Sequence, residues 1–381
     1  MNKTATRSTW RRLKRNKGAV FGIVIITLAV LIAIFAHLIS PDPSPNANRM
    51  IVEIDGQKPG FKQQFFKLPK QRNIESISFF ERLLSGREDV FQYIPITGYS
   101  ITEDSIIIQQ YLDEGVSDRK AFALKDVIAP NWEKEPLPIT QTTPRRMGSH
   151  VVRHQIITKK FLLGTDKYGR DILSRLLVGV RVSLSVGLVT VIISLSIGVL
   201  LGALSGYFRG TVDDVITWFI NVIWSIPTLL LVFAITVAMG KGFWQVFIAI
   251  GLTMWVNVAR LIRGQVLSVR EMEYVEAARA LGFSHARIIF RHVLPNVMGP
   301  VMVVAASNFA SAIVIEAGLS FLGVGVQAPQ PSWGLMIREY FNFILTNNPM
   351  LALVPGFAIM LLVLAFNMLG NGLRDALQVK E

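Results

Sequence analysis

The chain has 381 residues, of which 51% are hydrophobic, and its mean hydropathy is +0.44. Together with long uncharged runs bounded by charged residues, this composition indicates a membrane protein and makes a nucleic-acid partner unnecessary to explain the net charge of +13. The sequence contains no cysteine, which excludes disulfides, thiol catalysis and cysteine-ligated metals.

The first segment of the chain is strongly basic. Lys and Arg stay on the cytoplasmic side of a bilayer, so residues 1–18 are predicted to form a cytoplasmic basic amphipathic helix, with Trp10 and Leu13 on one face along the inner leaflet. The next apolar run, of about 21 residues, is too long for the core of a signal peptide, and no small-x-small cleavage site precedes Ser40. Residues 19–39 are therefore predicted to be an uncleaved first span with a cytoplasmic N-terminus.

Six intervals without Asp, Glu, Lys or Arg are each long enough to cross about 30 Å of hydrocarbon as a helix. The predicted spans are 19–39, 182–204, 215–239, 243–262, 297–317 and 350–370. Six crossings return the C-terminus to the cytoplasm. The fourth span is the weakest, because Asn257 lies near its end and only a tight turn at Lys241 precedes it, so an amphipathic re-entrant segment is the alternative there.

Between the first and second spans, residues 40–160 are predicted to form a large extracytoplasmic α+β insertion. Alternating or β-rich sequence predicts strands at 50–54 and 105–108, and the sequence at 77–84 favours a short helix. This length can bury a modest core, but folding against a partner is an equal alternative.

The charged segment at 163–175 is interpreted as structural. Asp171 and Arg175 are spaced to pair along an amphipathic helix that leads into the second span, and Thr165 or Asp166 can cap its start. No histidine or third carboxylate lies nearby, which argues against a metal or acid/base site. His150 and His154, four residues apart without a third ligand, are interpreted as solvated loop residues.

Small residues and prolines mark the predicted helix contacts. Gly198, Gly202 and Gly206 recur every four residues in the second span, which predicts a smooth groove for close helix packing. Pro227 and Pro300 are predicted to bend the third and fifth spans.

A helical hairpin is predicted at about 264–296, between two spans. Gly282 can end its first helix in a left-handed turn, Ser284 can cap a second helix, and Pro295 is predicted to break that helix. This hairpin is predicted to lie on the cytoplasmic side, both because it is rich in arginine and because of the number of predicted spans that precede it.

In the fifth span, Glu316 is the one carboxylate. Two interpretations are held as equal alternatives. In the first, the Glu316 side chain snorkels to the membrane interface; in the second, it is a gate or forms a buried pair with an arginine. Asn308 and Ser311 of the same span are further candidates for the gate or pathway.

In four segments the sequence resembles the integral-membrane permease subunit of bacterial ABC importers, in the dipeptide/oligopeptide/nickel permease family and its oligopeptide permease C-like branch. They are residues 163–184, which begin Leu-Gly-Thr-Asp-Lys-Tyr-Gly-Arg-Asp, 273–282, 291–296, and 316–323 with 331–334. The resemblance covers nearly the whole chain except the loop of roughly 120 residues at 40–160, which is longer than in most relatives.

The resemblance implies a type I importer permease fold and a cytoplasmic coupling helix that docks on an ATPase. By this analogy, the coupling residues are Glu273, Tyr274, Val275, Glu276, Ala277, Ala278, Arg279, Ala280, Leu281 and Gly282. It also implies four kinds of neighbour: a second permease subunit, two ATPases, an extracytoplasmic solute-binding protein and the lipid bilayer of the bacterial inner membrane. The chain has no Gly-x-x-x-x-Gly-Lys-Ser/Thr phosphate loop, so ATP and Mg²⁺ are expected on the partner ATPases, and this chain is expected to have no catalytic site.

The functional hypothesis is ATP-driven import of peptides, with nickel-chelate or glutathione import by the same fold as the closest alternative. A proton-coupled secondary carrier or a channel is the alternative from another class, but such proteins usually show several intramembrane ionisable residues or repeated broken helices. A membrane enzyme is disfavoured because no span has a paired acid and base or a set of metal ligands.

Overall fold

The computed structural model describes residues 3–70, 77–127, 144–240, 242–345 and 348–377. The chain divides into two compact units. We call residues 1–33, 179–341 and 352–381 the membrane unit, and residues 34–178 with 342–351 the inserted unit. The predicted turn residue Lys241 lies outside the described residues.

Long helices dominate the structure. In chain order, the helices are α1 (Lys3–Arg15), α2 (Lys17–Ile39), α3 (Phe79–Ser85), α4 (Leu124–Val127), α5 (Pro144–Gln155), α6 (Ile172–Phe208), α7 (Gly210–Trp224), α8 (Thr228–Met239), α9 (Phe243–Val269), α10 (Glu273–Ala280), α11 (His285–Ile288), α12 (Leu294–Phe321), α13 (Trp333–Tyr340) and α14 (Met350–Leu377).

Within the described residues, five helical segments are long and apolar enough to cross a membrane, and there are six if α7 and α8 count as one broken span. These two helices meet at 91°, so the predicted bend at Pro227 is confirmed, but the segment 215–239 belongs to two helices instead of one. Pro227 starts α8 by accepting a hydrogen bond from the Leu231 amide, but it has no N–H of its own to continue α7. The chain therefore turns sharply at the predicted proline, and the broken or re-entrant geometry lies here instead of at the fourth span.

The fourth predicted span is part of α9, and this helix is the most enclosed of the five. Its apolar window is 67% buried, against 17–33% for the other four. Helix α9 lies in the middle of the membrane unit, where its buried residues join separate apolar clusters with α6, α7, α8 and α12. Its weak hydropathy therefore reflects contact with protein on several sides instead of contact with lipid.

Neither Pro295 nor Pro300 interrupts the helical path into α12, so the predicted break at Pro295 was wrong. A π-helical turn at Ile289–Val293 precedes α12, and the Leu294 amide donates to the Ile289 carbonyl across this wider turn. Proline cannot donate to the carbonyl four residues back and crowds it, and a π turn is one way in which a helix accommodates such a residue. Helix α12 then continues through Pro300 to Phe321.

The inserted unit contains one antiparallel sheet of five strands in the order β4-β3-β2-β1-β5. The strands are β1 (Phe61–Pro69), β2 (Phe91–Ile101), β3 (Ser105–Asp113), β4 (Val116–Ala123) and β5 (Ile156–Phe161). Adjacent residues Phe65 and Phe66 point to opposite faces, and each is buried in a separate apolar cluster. The predicted strand at 105–108 and the helix near 77–84 are confirmed, but the predicted strand at 50–54 instead forms a 3₁₀ turn over Val52–Ile54.

The segment at 163–171 forms a tight loop, and helix α6 begins only at Ile172, so the predicted amphipathic helix starting at Thr165 or Asp166 was wrong. Asp171 caps α6 by accepting hydrogen bonds from the Ser174 amide, at 2.8 Å, and from the Ser174 hydroxyl. Asp166 forms the buried ion pair, 2.6 Å from Arg170 Nε and 4.0 Å from Arg175 Nε. The two histidines 150 and 154 stack on helix α5, with ring centroids 4.3 Å apart, and not in a loop.

We expect Arg170→Ala to destabilise the chain by about 3–5 kcal/mol, because it leaves the fully buried Asp166 carboxylate without its closest cation. Thermal unfolding of the full chain in detergent measures the loss. Lys167→Ala is the matched control, since Lys167 belongs to the same loop but is exposed. Equal unfolding temperatures for the two variants would contradict a stabilising role for the Asp166–Arg170 pair.

Candidate functional site

Helix α10 forms most of the predicted coupling segment, and its C-terminal stop is confirmed. Gly282 has a φ of +75°, a left-handed conformation that glycine adopts without a side-chain clash. The Gly282 amide donates to the Arg279 carbonyl at 2.9 Å, and the Phe283 amide donates to the Ala278 carbonyl at 3.1 Å. These bonds satisfy the last carbonyl groups of α10 and turn the chain toward α11.

The two faces of α10 have different environments. Val275 and Ala278 are buried in an apolar cluster with residues of α6, α9, α11 and α12. The exposed positions are Glu273, Tyr274, Glu276, Ala277, Ala280, Leu281 and Gly282, while Arg279 is half-buried. We call these seven exposed residues the coupling surface. Of the two adjacent alanines in the motif, only Ala277 is therefore available to a partner.

The second helix of the hairpin is held as its sequence predicts. The Ser284 hydroxyl accepts a hydrogen bond from the Arg287 amide at 3.4 Å and so caps α11. Asn296, at the start of α12, donates from Nδ2 to the Tyr274 hydroxyl at 3.0 Å. This bond ties the exposed side of α10 to the helix that continues into the membrane unit.

Tyr207, which the sequence analysis did not single out, supports the hairpin from the end of α6. Its buried hydroxyl hydrogen-bonds His285 Nδ1 at 3.0 Å, and its carbonyl accepts a hydrogen bond from Arg270 Nη1 at 2.6 Å. The Arg279 guanidinium lies over the Tyr207 ring, 5.1 Å from its centroid. One tyrosine thus contacts both helices of the hairpin, and only its place at the end of a long apolar run hints at this role in the sequence.

A bidentate ion pair fixes α7 against α9 near the same end. Arg263 Nε and Nη2 each lie 2.6 Å from a carboxylate oxygen of Asp213. The Ser205 hydroxyl donates to Asp213 as well, and Thr217 contributes another hydrogen bond. Paired hydrogen bonds of this kind fix orientation more strictly than a single contact does, so helices α6, α7 and α9 are held in register beside the hairpin.

The three glycines at four-residue spacing lie against one helix, α9. A Cβ added at Gly198 would lie 2.5 Å from Val258 Cβ, one at Gly202 would lie 2.5 Å from the Ala259 carbonyl oxygen, and one at Gly206 would lie 2.7 Å from the Arg263 carbonyl oxygen. These distances are shorter than normal van der Waals contacts. The backbones of α6 and α9 therefore approach as closely as small residues allow.

The three candidate pathway residues of α12 do not share one environment. Glu316 is 1% exposed, which rules out snorkelling, and it accepts a hydrogen bond from the Ser320 hydroxyl at 2.6 Å. Asn308 is also buried, with Nδ2 at 3.5 Å from the Ser194 hydroxyl, whereas Ser311 is exposed. In the described part of the chain, the hydrogen-bond partners of the Glu316 carboxylate are the hydroxyls of Ser320 and Ser332 and not an arginine.

The inserted unit contains a cavity of about 520 Å³ that is lined by both acidic and basic side chains. Tyr93 lies at its edge between two cations, with Arg49 Cζ 4.3 Å and Lys159 Nζ 3.9 Å from the ring centroid. Asp89 and Asp42 lie 2.5 Å and 3.3 Å from Arg49 Nη2. Across the described residues, no group of three or more His, Asp or Glu side chains has the geometry to hold a metal ion.

Burial, together with the charge of Arg49, lowers the pKa of Lys159 from 10.5 to about 8, and burial raises the pKa of Tyr93 from 10.0 to about 12. Between pH 8 and 10 the unfolded chain binds more protons at Lys159 than the folded chain, so stability rises with pH. Between pH 10 and 12 the folded chain retains the Tyr93 proton, so this residue lowers stability as pH rises.

We therefore expect Lys159→Met to reduce the gain in unfolding temperature between about pH 7 and about pH 9.5. Thermal unfolding of the full chain in detergent at both values measures the change. Lys160→Met, at the exposed neighbouring position, controls for the loss of any lysine. An undiminished gain in Lys159→Met would contradict the assignment of the pH effect to this ammonium.

Comparisons with known proteins identify the family that the chain resembles. Residues 198–380 match the family model described as binding-protein-dependent transport system inner membrane component, and residues 4–59 match the N-terminal TM domain of oligopeptide transport permease C. Three curated relatives are 40–43% identical to this chain over the aligned residues.

The dipeptide transport system permease protein DppC of Alkalihalophilus pseudofirmus is 43% identical over 217 residues, which are 57% of this chain and 71% of the relative. The oligopeptide transport system permease protein OppC of Bacillus subtilis is 40% identical over 223 residues, 58% of this chain and 73% of the relative. The glutathione transport system permease protein GsiD of Pectobacterium atrosepticum is 41% identical over 218 residues, 57% of this chain and 72% of the relative. This chain therefore belongs to the family of binding-protein-dependent transport system inner membrane components, as a multi-pass permease of the ABC importer type.

Proposed function

We propose that this chain forms half of the pathway of an ATP-driven peptide importer and receives the force for transport through the coupling surface. The observation that supports this proposal is the division of α10 into two faces. Val275 and Ala278 are locked into the apolar cluster, while Tyr274, Ala277 and Leu281 are exposed beside the acidic Glu276. An exposed apolar patch on a rigidly mounted helix is suited to seat in a groove of another protein.

The mechanism follows from how the hairpin is attached. Its core residues pack directly against α6, α9 and α12, and Tyr207 contacts both of its helices. Movement of an ATPase bound to the coupling surface is therefore passed to three long helices at once. A rigid connection of this kind is what alternation between inward-facing and outward-facing states needs, because a flexible loop would absorb the displacement.

The proposed arrangement places both termini and the hairpin in the cytoplasm and the inserted unit outside. The basic residues of α1 and the arginines of the hairpin support this orientation. The partners are then a second permease subunit, two cytoplasmic ATPases that bind ATP and Mg²⁺, and a solute-binding protein on the outer side of the bacterial inner membrane. The exposed stripe of α12 with Ser307 and Ser311 is the part of this chain that we assign to the pathway or to the second permease.

Peptides are the substrate class that the relatives named dipeptide and oligopeptide permeases support. Glutathione, itself a tripeptide, is the second candidate, because a glutathione permease matches this chain with 41% identity. Nickel chelates remain the third alternative from the sequence. Competition for uptake between a labelled dipeptide and unlabelled glutathione separates the first two.

Purification of the tagged full chain from native membranes in a mild detergent tests the proposed function. An importer permease is expected to bring an ATPase with it, and the purified complex is expected to hydrolyse ATP and, after reconstitution, to accumulate peptide only when ATP is supplied. A chain that accumulates substrate from a proton gradient without an ATPase would be a secondary carrier, and this result would overturn the proposal.

A further inference from the structure

Helix α3 of the inserted unit exposes three large apolar side chains. Phe79, Phe80 and Leu84 are 61%, 72% and 70% exposed, and none of the seven residues of α3 is buried. The rings of Phe79 and Phe80 contact each other edge to face, with centroids 5.9 Å apart. Contiguous apolar groups of this kind on a folded unit indicate a surface that is covered by a partner.

The C-terminal end of α3 is fixed against the end of helix α2. The Arg87 amide donates to the Pro43 carbonyl at 2.8 Å, just beyond the last turn of α2. Gly86 has a φ of +76° and approaches so closely that an added Cβ would lie 2.7 Å from the Pro43 carbonyl oxygen and 2.9 Å from His37 Nδ1. His37 belongs to the last turn of α2, so α3 ends directly beside the end of an apolar helix long enough to span a membrane.

The length of α3 limits how far its apolar residues lie from the bilayer. Seven residues of α-helix extend about 10 Å, and the polar layer on each side of the hydrocarbon is about 5–8 Å thick. Leu84 is two residues from the contact at Gly86. Phe79 and Phe80, at the other end of α3, are no farther from this contact than the length of the helix. All three side chains are therefore within reach of the leaflet at which α2 ends.

The end of α2 that contacts Gly86 also exposes apolar side chains. Leu38 and Ile39, the last residues of α2, are exposed apolar side chains next to the anchoring contact at His37. Arg82 and Arg87 are exposed on and just after α3, where they are suited to phosphate headgroups. Glu81 and Glu88 are exposed in the same stretch, so the apolar side chains, and not a net positive charge, favour attachment to a membrane interface.

We propose that α3 is an interfacial helix, which inserts Phe79, Phe80 and Leu84 into the lipid leaflet at the end of α2. The partner of this surface is the bilayer itself and not a second protein. This contact adds a second attachment of the inserted unit to the membrane, beside the span from which the unit emerges. The inference does not depend on the proposed substrate or on the coupling surface.

The absence of cysteine from the sequence permits a direct test, because Phe80→Cys creates the only thiol in the chain. The full chain with a nitroxide label at this position is reconstituted into vesicles of phosphatidylethanolamine and phosphatidylglycerol. Collision of the label with oxygen, which concentrates in lipid, is compared with collision with a water-soluble nickel chelate. Leu84→Cys provides a second labelled position on the same helix.

Two positions provide the reference values. Val116→Cys lies at the turn between β3 and β4 and is 53% exposed, and Val24→Cys lies within α2 and is 56% exposed. The oxygen-to-nickel ratio at positions 80 and 84 is expected to lie several-fold above that at 116 and to approach that at 24. A ratio equal to that at 116 would overturn the proposal, and so would labels that become shielded from nickel only after a solute-binding protein is added.

Discussion

Glu276→Lys is expected to reduce transport by more than tenfold while leaving the chain folded and inserted. Glu276 lies on the coupling surface, so reversal of its charge acts on the contact with the proposed ATPase. Within the chain, the substitution places a cation in the first half of α10, which costs only about 0.3–1 kcal/mol at an exposed site. The loss of transport should therefore greatly exceed the loss of stability. Uptake into vesicles and the amount of copurified ATPase measure the first effect, and thermal unfolding measures the second.

Glu271→Lys is the matched control. Glu271 belongs to the same segment, carries the same charge and is exposed, but it precedes α10 and pairs with Arg209. Loss of an exposed pair costs at most about 1 kcal/mol, so near-normal uptake is expected. Equal uptake by the Glu276 and Glu271 variants in an assembled complex would remove the assignment of coupling to this surface.

Gly282 tests whether the shape of the hairpin is also required. Gly282→Pro is incompatible with the φ of +75° and removes the amide that bonds to the Arg279 carbonyl, so it should abolish coupling as well. Gly282→Asn should retain most activity, since asparagine tolerates a left-handed conformation better than other side chains. Equal uptake by these two variants would show that the turn geometry is irrelevant.

Gly202→Ala is expected to lower the stability of the membrane unit by about 1–3 kcal/mol, although alanine is the better helix former. The added Cβ would lie 2.5 Å from the Ala259 carbonyl oxygen and 3.0 Å from Ala259 Cα. Both atoms belong to the backbone of α9, so relief requires the two helices to move apart. Gly202→Leu should have a larger effect and prevent recovery of folded chain. Thermal unfolding of the full chain in detergent measures the difference.

Gly264→Ala is the control that separates the steric clash expected at Gly202 from the general effect of replacing a helical glycine by alanine. Gly264 lies inside α9, where an added Cβ would meet no atom within 4 Å. Replacement by alanine should therefore stabilise the helix by up to about 1 kcal/mol. A Gly202 variant as stable as the Gly264 variant would contradict the close approach of α6 and α9.

Local signals in the sequence were sufficient to predict several helices and their ends. A long run of apolar residues is buried in lipid or in protein whatever its tertiary contacts are, and a helix satisfies its backbone hydrogen bonds there. Five of the six predicted spans therefore coincide with parts of long helices. Caps and stops are also local, because a glycine with positive φ or a serine before a helix acts on amides a few residues away. Gly282 and Ser284 were therefore placed correctly.

Other features depend on partners that lie far along the chain. Asp166 and Asp171 are similar in sequence context, but one forms the buried ion pair and the other caps α6, because residues 48–57 close over the loop that holds Asp166. Tyr207 supports the hairpin only because α6 ends opposite His285, 78 residues later. Spacing within the sequence does not encode either contact.

The sequence by itself determined that the chain spans a membrane and has a hairpin with a family motif, because hydropathy, charge and turn-forming residues act over short distances. Only the tertiary structure decided that α9 is enclosed by protein, that Glu316 is buried among serine hydroxyls, and that Ala277 but not Ala278 is exposed. A side chain's neighbours across the fold fix its burial, and these neighbours come from distant segments brought together by packing.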